Sequence, residues 1–83
     1  MKIIITPEAI KQYGRLPKTE QKKIKKKITI LEQDQNAGKK LSGNFSELRS
    51  LRVWPYRILY YTNETQNTIY IVTIAHRQGV YRN

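Results

Sequence analysis

The spacing of hydrophobic residues changes near the middle of the chain. Between residues 8 and 33, apolar side chains recur three or four positions apart, which is typical of one face of an α-helix. The two sets are Ala9, Tyr13 and Leu16, and then Ile24, Ile28 and Leu31. Thr6 and Pro7 predict the start of the first helix, because a hydroxyl caps free N–H groups and proline suits the first turn. Pro17 separates the helices, and the start of the second helix has two alternatives: Pro17 at its first position, or Thr19 as its cap.

Branched and aromatic residues dominate the other hydrophobic segments. Residues 2–5, 48–53, 56–61 and 68–75 are therefore predicted to be strands. Residues 38–46 have the composition of a loop, and residues 62–67 form a polar hairpin loop. Trp54-Pro55 matches the usual two-residue hairpin turns poorly, which leaves a bulge or a cis bond as alternatives.

The order strand-helix-helix-strand-strand-strand predicts an α+β fold. A helical hairpin is expected to cover one face of a mostly antiparallel four-stranded sheet. The 83 residues are expected to form one domain, residues 1–83.

Side-chain alternation predicts which residues leave the core. Arg57 lies in an apolar strand, where a charged side chain is costly unless it is paired or reaches water, so it is expected on the open face. An ion pair and phosphate binding both remain possible for it. In the last strand, strict alternation groups Tyr70, Val72, Ile74 and His76 on one face and puts Arg77 on the other.

The net charge of +10 predicts a polyanionic partner. With no cysteine and a single histidine, we expect no disulfide, no metal site and no cofactor. No apolar run approaches the roughly 18 residues of a membrane span, so a soluble, cytoplasmic protein is expected.

The two kinds of cation occupy different parts of the chain. All ten lysines lie in the first half, whereas five of the six arginines follow residue 48. The run around Lys25 and Lys26 fits either a solvated helix face or a track for a phosphate backbone. Arg49 and Arg52 are further candidates for substrate binding, because the planar guanidinium grips phosphate with two hydrogen bonds.

Four segments of the sequence resemble the RelE/ParE toxin superfamily. They are Lys40-Leu-Ser-Gly, Leu48-Arg-Ser-Leu-Arg, Tyr56-Arg-Ile-Leu-Tyr and Ile74-Ala-His-Arg-Gln-Gly-Val-Tyr. The resemblance implies a toxin of a type II toxin–antitoxin system that enters the ribosomal A site and cleaves messenger RNA there. It further implies attack of a ribose 2′-hydroxyl on the neighbouring phosphate, without a metal.

The resemblance also implies roles for particular residues. The catalytic residues would be Arg57, His76, Arg77 and Tyr81, with His76 moving a proton and Tyr81 stacking on a base. Two lysines of the best-known RelE-type sites are replaced here by Leu48 and Ser50.

The implied partners are messenger RNA on the ribosome, the 16S rRNA surface and a cognate acidic antitoxin. Two other functions stay open: a ParE-like inhibitor of DNA gyrase, and a non-catalytic RNA-binding module.

Overall fold

Two helices pack on one face of a five-stranded sheet in the computed structural model, which describes residues 1–41 and 48–76. The elements are β1 (Lys2–Ile5), α1 (Pro7–Gly14), α2 (Lys18–Gln33), β2 (Lys39–Lys40), β3 (Arg49–Val53), β4 (Tyr56–Asn63) and β5 (Thr68–His76). The sheet order is β1-β5-β4-β3-β2, and only the β1–β5 pair is parallel. The predicted α+β architecture is confirmed.

The additional strand, β2, lies in a segment that was predicted to be a loop. Its two residues, Lys39 and Lys40, pair with Ser50 and Arg49. Nothing in a Lys-Lys pair favours a strand, so this element is defined by its pairing partner.

Thr6 connects the start of α1 to the interior strand β5. As predicted, its side chain caps the helix by accepting a hydrogen bond from the Ala9 N–H at 3.4 Å. The same hydroxyl donates to the carbonyl oxygen of Ile71 at 2.9 Å. Further along, the Ile74 N–H donates to Gln12 Oε1 at 2.7 Å. A side chain of α1 thus accepts a backbone hydrogen bond from β5 beyond the point where the pairing with β1 ends. These bonds fix α1 against the sheet.

Helix α2 begins at Lys18, with Pro17 immediately before the first helical residue. No side chain caps this helix, so Thr19 is not its cap. Ile24 and Leu31 are buried, and Ile28 packs against the core, as their spacing predicted. Neither helix of the described residues is long and apolar enough to cross a membrane.

Alternation along β4 separates the core from the opposite face of the sheet. Ile58 and Tyr60 are fully buried beneath the helices. The face away from the helices, called the far face below, carries the residues that pair in register with Arg57, Leu59 and Tyr61. The far face consists of Ser50, Arg52, Arg57, Leu59, Tyr61, Tyr70, Thr73 and Ala75. The prediction that Arg57 points away from the core is confirmed.

A β-bulge in β5 breaks the strict alternation that the sequence predicted. Leu59 pairs with Thr73 and Tyr60 with Ile71, so Val72 has no directly opposed residue in β4. One extra residue reverses the side-chain direction of everything after it. Tyr70 therefore lies on the far face, whereas Ile74 lies with the core, and the predicted grouping of those two residues is wrong.

The turn between β3 and β4 contains a cis peptide bond between Trp54 and Pro55. The cis bond is thus the alternative that the structure adopts at this connection.

The phenol of Tyr60 holds the segment between α2 and β2 against the sheet. Its hydroxyl donates to the carbonyl oxygen of Gln35 at 2.8 Å and accepts from the Gly38 N–H at 2.9 Å. A Cβ at position 38 would lie 2.8 Å from both the Tyr60 hydroxyl and its ring, so only glycine allows this approach. Arg49 Nη1 donates to the Gly38 carbonyl oxygen at 3.0 Å.

Replacing Tyr60→Phe should destabilise the protein by about 1–3 kcal/mol, because one buried N–H and one carbonyl lose their partner. Urea denaturation measures this difference. The matched control is Tyr70→Phe, which removes an exposed hydrogen bond to Gln66 that water replaces. It should change stability by less than about 0.5 kcal/mol. Equal effects of the two substitutions would contradict the role given to Tyr60.

The same phenol predicts a pH dependence of stability. Burial raises the pKa of Tyr60 above 10.0, although the Gly38 hydrogen bond and Arg49 oppose the shift. The raised pKa means that the neutral phenol stabilises the fold below pH 10, and that this contribution is lost as pH rises through the folded-state pKa. The stability difference between wild type and Tyr60→Phe should therefore shrink in alkaline urea titrations. A difference that is constant up to pH 11 would contradict the prediction.

Candidate functional site

Two arginines face each other across neighbouring strands on the far face. Arg57 of β4 lies directly opposite Arg52 of β3. Arg52 is exposed and Arg57 is half-buried. Like charges placed directly opposite each other destabilise a sheet. An anion between the two guanidinium groups would remove that repulsion, and phosphate fits their planar donors.

Ser50 lies beside this arginine pair and contacts it. Arg57 Nη1 donates a hydrogen bond to Ser50 Oγ at 3.4 Å. Ser50 is only 5% exposed, so its hydroxyl supports the guanidinium from within the far face. The sequence showed Ser50 only as a position where RelE-type sites carry lysine. Its two-residue spacing from Arg52 was the available signal, since it places both on one face of β3.

Arg49 belongs to the other side of the sheet. It lies opposite Tyr60, and its guanidinium bonds the Gly38 carbonyl. Arg49 and Arg52 were both expected to bind substrate. The structure does not place them on the same face of the sheet. Adjacent to Ser50 in sequence, Arg49 projects away from Arg57.

His76 is not on the face of Arg57 either. The residue opposite Arg57 is Ala75, whereas His76 pairs with Tyr56 on the helix-facing side. The His76 and Tyr56 rings meet edge to face, with centroids 5.6 Å apart and planes at 85°. The physical reason is the bulge at Val72, because unbroken alternation would have put His76 on the far face with Tyr70. The expected convergence of His76 with Arg57 is thus corrected.

The other candidate residues have separate outcomes. Lys25 and Lys26 are exposed on α2 and do not lie on the far face. Arg77 and Tyr81, together with Ser42 and Gly43 of the Lys-Leu-Ser-Gly segment, lie outside the described residues. Within residues 1–41 and 48–76, no three side chains of histidine, aspartate or glutamate lie together as a metal site would require.

Several solved toxin structures share this fold. A chain of the RelBE2 toxin–antitoxin complex from Mycobacterium tuberculosis superposes with a TM-score of 0.84 at 23% identity, covering 92% of this chain and 96% of that one. The YoeB/ParE toxin from Agrobacterium tumefaciens gives a TM-score of 0.79 at 19% identity, covering 92% and 98%. The isolated RelE toxin of E. coli gives 0.78 at 18% identity, covering 90% and 82%. These similarities establish a RelE-like fold.

The sequence itself identifies the family. Residues 3–81 match the family model of the ParE toxin of type II toxin–antitoxin systems, parDE. The chain belongs to this family and is a toxin of a type II toxin–antitoxin system. No curated protein sequence matches it significantly.

The opposed arginines predict a gain in stability when one of them is reversed in charge. Arg52→Glu should stabilise the protein by about 0.2–1 kcal/mol, because a cross-strand repulsion becomes an attraction. Thermal and urea denaturation measure the change. Lys2→Glu is the matched control, since it alters net charge equally at a position opposite Thr68. An Arg52→Glu variant no more stable than this control would contradict a strained arginine pair.

Proposed function

We propose that this toxin is a ribosome-dependent endoribonuclease that cleaves messenger RNA in the A site, without a metal. The observation that supports it is the pair of opposed arginines with the Ser50 hydroxyl on the far face. Two guanidinium groups placed opposite each other present planar donors that fit a phosphate, and this geometry supports the proposal.

The proposed reaction is an attack of the ribose 2′-oxygen on the adjacent phosphorus. The 2′-hydroxyl loses its proton, the bond from phosphorus to the 5′-oxygen breaks and that oxygen takes up a proton, which leaves a 2′,3′-cyclic phosphate and a 5′-hydroxyl end. Negative charge increases on the phosphoryl oxygens in the transition state. Arg57 would stabilise that charge, with Ser50 holding its guanidinium and Arg52 adding a second donor.

The remaining roles rest on the superfamily resemblance. We assign charge stabilisation to Arg77 as well, and stacking on a substrate base to Tyr81. His76 receives no part in proton transfer in this proposal, because its ring lies against Tyr56 on the other side of the sheet.

The proposed partners follow from charge. Lys25 and Lys26 belong to a run of exposed lysines on α2, which would attract the 16S rRNA surface. A cognate acidic antitoxin would neutralise the same cations. Solved relatives of this fold include toxin–antitoxin complexes, among them RelBE and YoeB–YefM.

Inhibition of DNA gyrase is the second candidate function. The matching family model is that of ParE, and the two lysines of the best-known RelE-type sites are absent. A gyrase inhibitor of this fold would need no phosphate site, so substitution of the arginine pair tests which of the two functions the toxin has.

Arg57→Ala should lower cleavage of messenger RNA by about 100-fold, since it removes a donor to the transition state. Induced expression followed by mapping of RNA 5′ ends measures the loss, with Arg15→Ala as a control for removal of an exposed arginine, since Arg15 lies directly after α1. Growth arrest that persists in an Arg57/Arg77/Tyr81 triple alanine variant, without new 5′ ends, would contradict the nuclease and favour the gyrase function.

A single 2′-deoxyribose at the cut site of a ribosome-bound messenger should abolish cleavage, because the nucleophile is missing. The all-ribose message is the control. Cleavage of the deoxy-substituted message would rule out attack by the 2′-oxygen. Tight RNA binding with no product from either message would instead indicate a non-catalytic RNA-binding module.

A further inference from the structure

One face of α2 presents lysine side chains beside the turn between β3 and β4. Lys23, Lys26, Lys27 and Ile30 are spaced three or four residues apart, so they share one face of the helix. That stripe lies beside the buried stripe of Ile24 and Leu31, and it reaches the edge of the helical layer.

A groove of about 430 Å³ separates this stripe from the sheet. Its lining includes Lys23, Lys26, Lys27, Ile30, Arg52 and Trp54. Four of these six side chains are cationic. Lys23 forms an ion pair of 3.5 Å with Glu20, so one of the four cations has an acidic neighbour on α2. The groove therefore has a strong excess of positive charge.

The groove also exposes apolar surface. Trp54 is 57% exposed, and Ile30 is 44% exposed. Tryptophan is usually well buried, because exposing its large apolar ring to water is unfavourable. A neutral ligand would not neutralise the four cations, and a simple counterion would not cover the exposed indole. A ligand that carries both negative charge and an aromatic surface would do both.

We propose that this groove binds single-stranded RNA, with an unpaired base on the indole of Trp54 and the backbone phosphates on the lysines of α2. Proteins that bind single strands combine a cationic groove with aromatic stacking platforms. A duplex would not suit the groove, since its bases are stacked on each other and turned away from side chains.

Arg52 connects the groove to the far face. It lines the groove and also lies opposite Arg57. An RNA strand held at Trp54 could thus pass over the edge of β3 and reach the arginine pair. The groove is nonetheless a binding site in its own right, and it does not depend on cleavage.

Trp54 is the only tryptophan of the chain, so its fluorescence reports on the groove directly. Titration of the full-length protein with an unstructured 12-nucleotide RNA should give a saturable fall in emission. Inorganic polyphosphate, which carries charge without bases, should bind without that fall. An unchanged emission at saturating RNA, or the same fall with polyphosphate, would overturn the proposal.

Variants separate the stacking from the charge. By anisotropy of a labelled RNA, Trp54→Ala should weaken binding about 5- to 100-fold, and Trp54→Phe should weaken it less. Each of Lys23→Ala, Lys26→Ala and Lys27→Ala should reduce the slope of log K against log salt by about 0.7. Lys11→Ala, a lysine outside the groove, should leave Trp54 quenching unchanged. Circular dichroism checks that each variant is folded.

Two results would overturn the RNA assignment even if the groove binds a ligand. One is equal affinity of wild type and folded Trp54→Ala. The other is displacement of RNA by poly-glutamate with the same emission change, which would indicate an acidic protein as the occupant. The nuclease proposal fails independently: RNA that quenches Trp54 but is never cut on the ribosome removes the nuclease and keeps the groove.

Discussion

Two helices can cover only one face of this sheet. Helices of eight and 16 residues are about 12 and 24 Å long, enough for one layer over five strands. The period-two alternation of β4 then decides the chemistry of each side. It sends Ile58 and Tyr60 into the core and leaves Arg57 on the face without a helix, where its charge is not forced into an apolar layer. Neighbouring residues of the same strand, Arg57 and Ile58, therefore belong to the cationic far face and to the dry core.

A series of polar contacts connects the end of α2 to the candidate site. Tyr60 fixes the segment that leaves α2, through its bonds to Gln35 and Gly38. The next residue, Lys39, pairs with Ser50, and Ser50 contacts the guanidinium of Arg57. A structural hydrogen bond in the core is thus linked, through one short strand, to the position of the proposed phosphate ligand. This link explains why an apolar ring alone at position 60 would not serve the same purpose.

Much of the fold could be predicted from the sequence, because the relevant signals are local. The Thr6 cap, the periods of the two helices and the outward direction of Arg57 each depend on neighbours within a few residues. The wrong predictions concern features that depend on how the strands pair. Lys39 and Lys40 form a strand only because β3 offers them partners, and the bulge at Val72 leaves no trace in a run of branched residues. That single inserted residue moved His76 away from the arginines. Ser50 was overlooked as a partner of Arg57 for the same reason, since only the register brings the two together.

The parallel pairing of β1 with β5 has a consequence for synthesis of the toxin. β5 lies between β1 and β4, so the first strand made has no neighbour until nearly the last described residues exist. Closing such a distant contact is slow compared with forming a hairpin. The antiparallel hairpins of β3, β4 and β5 can therefore form before β1 joins them, and the parallel edge is the last part of the sheet to assemble.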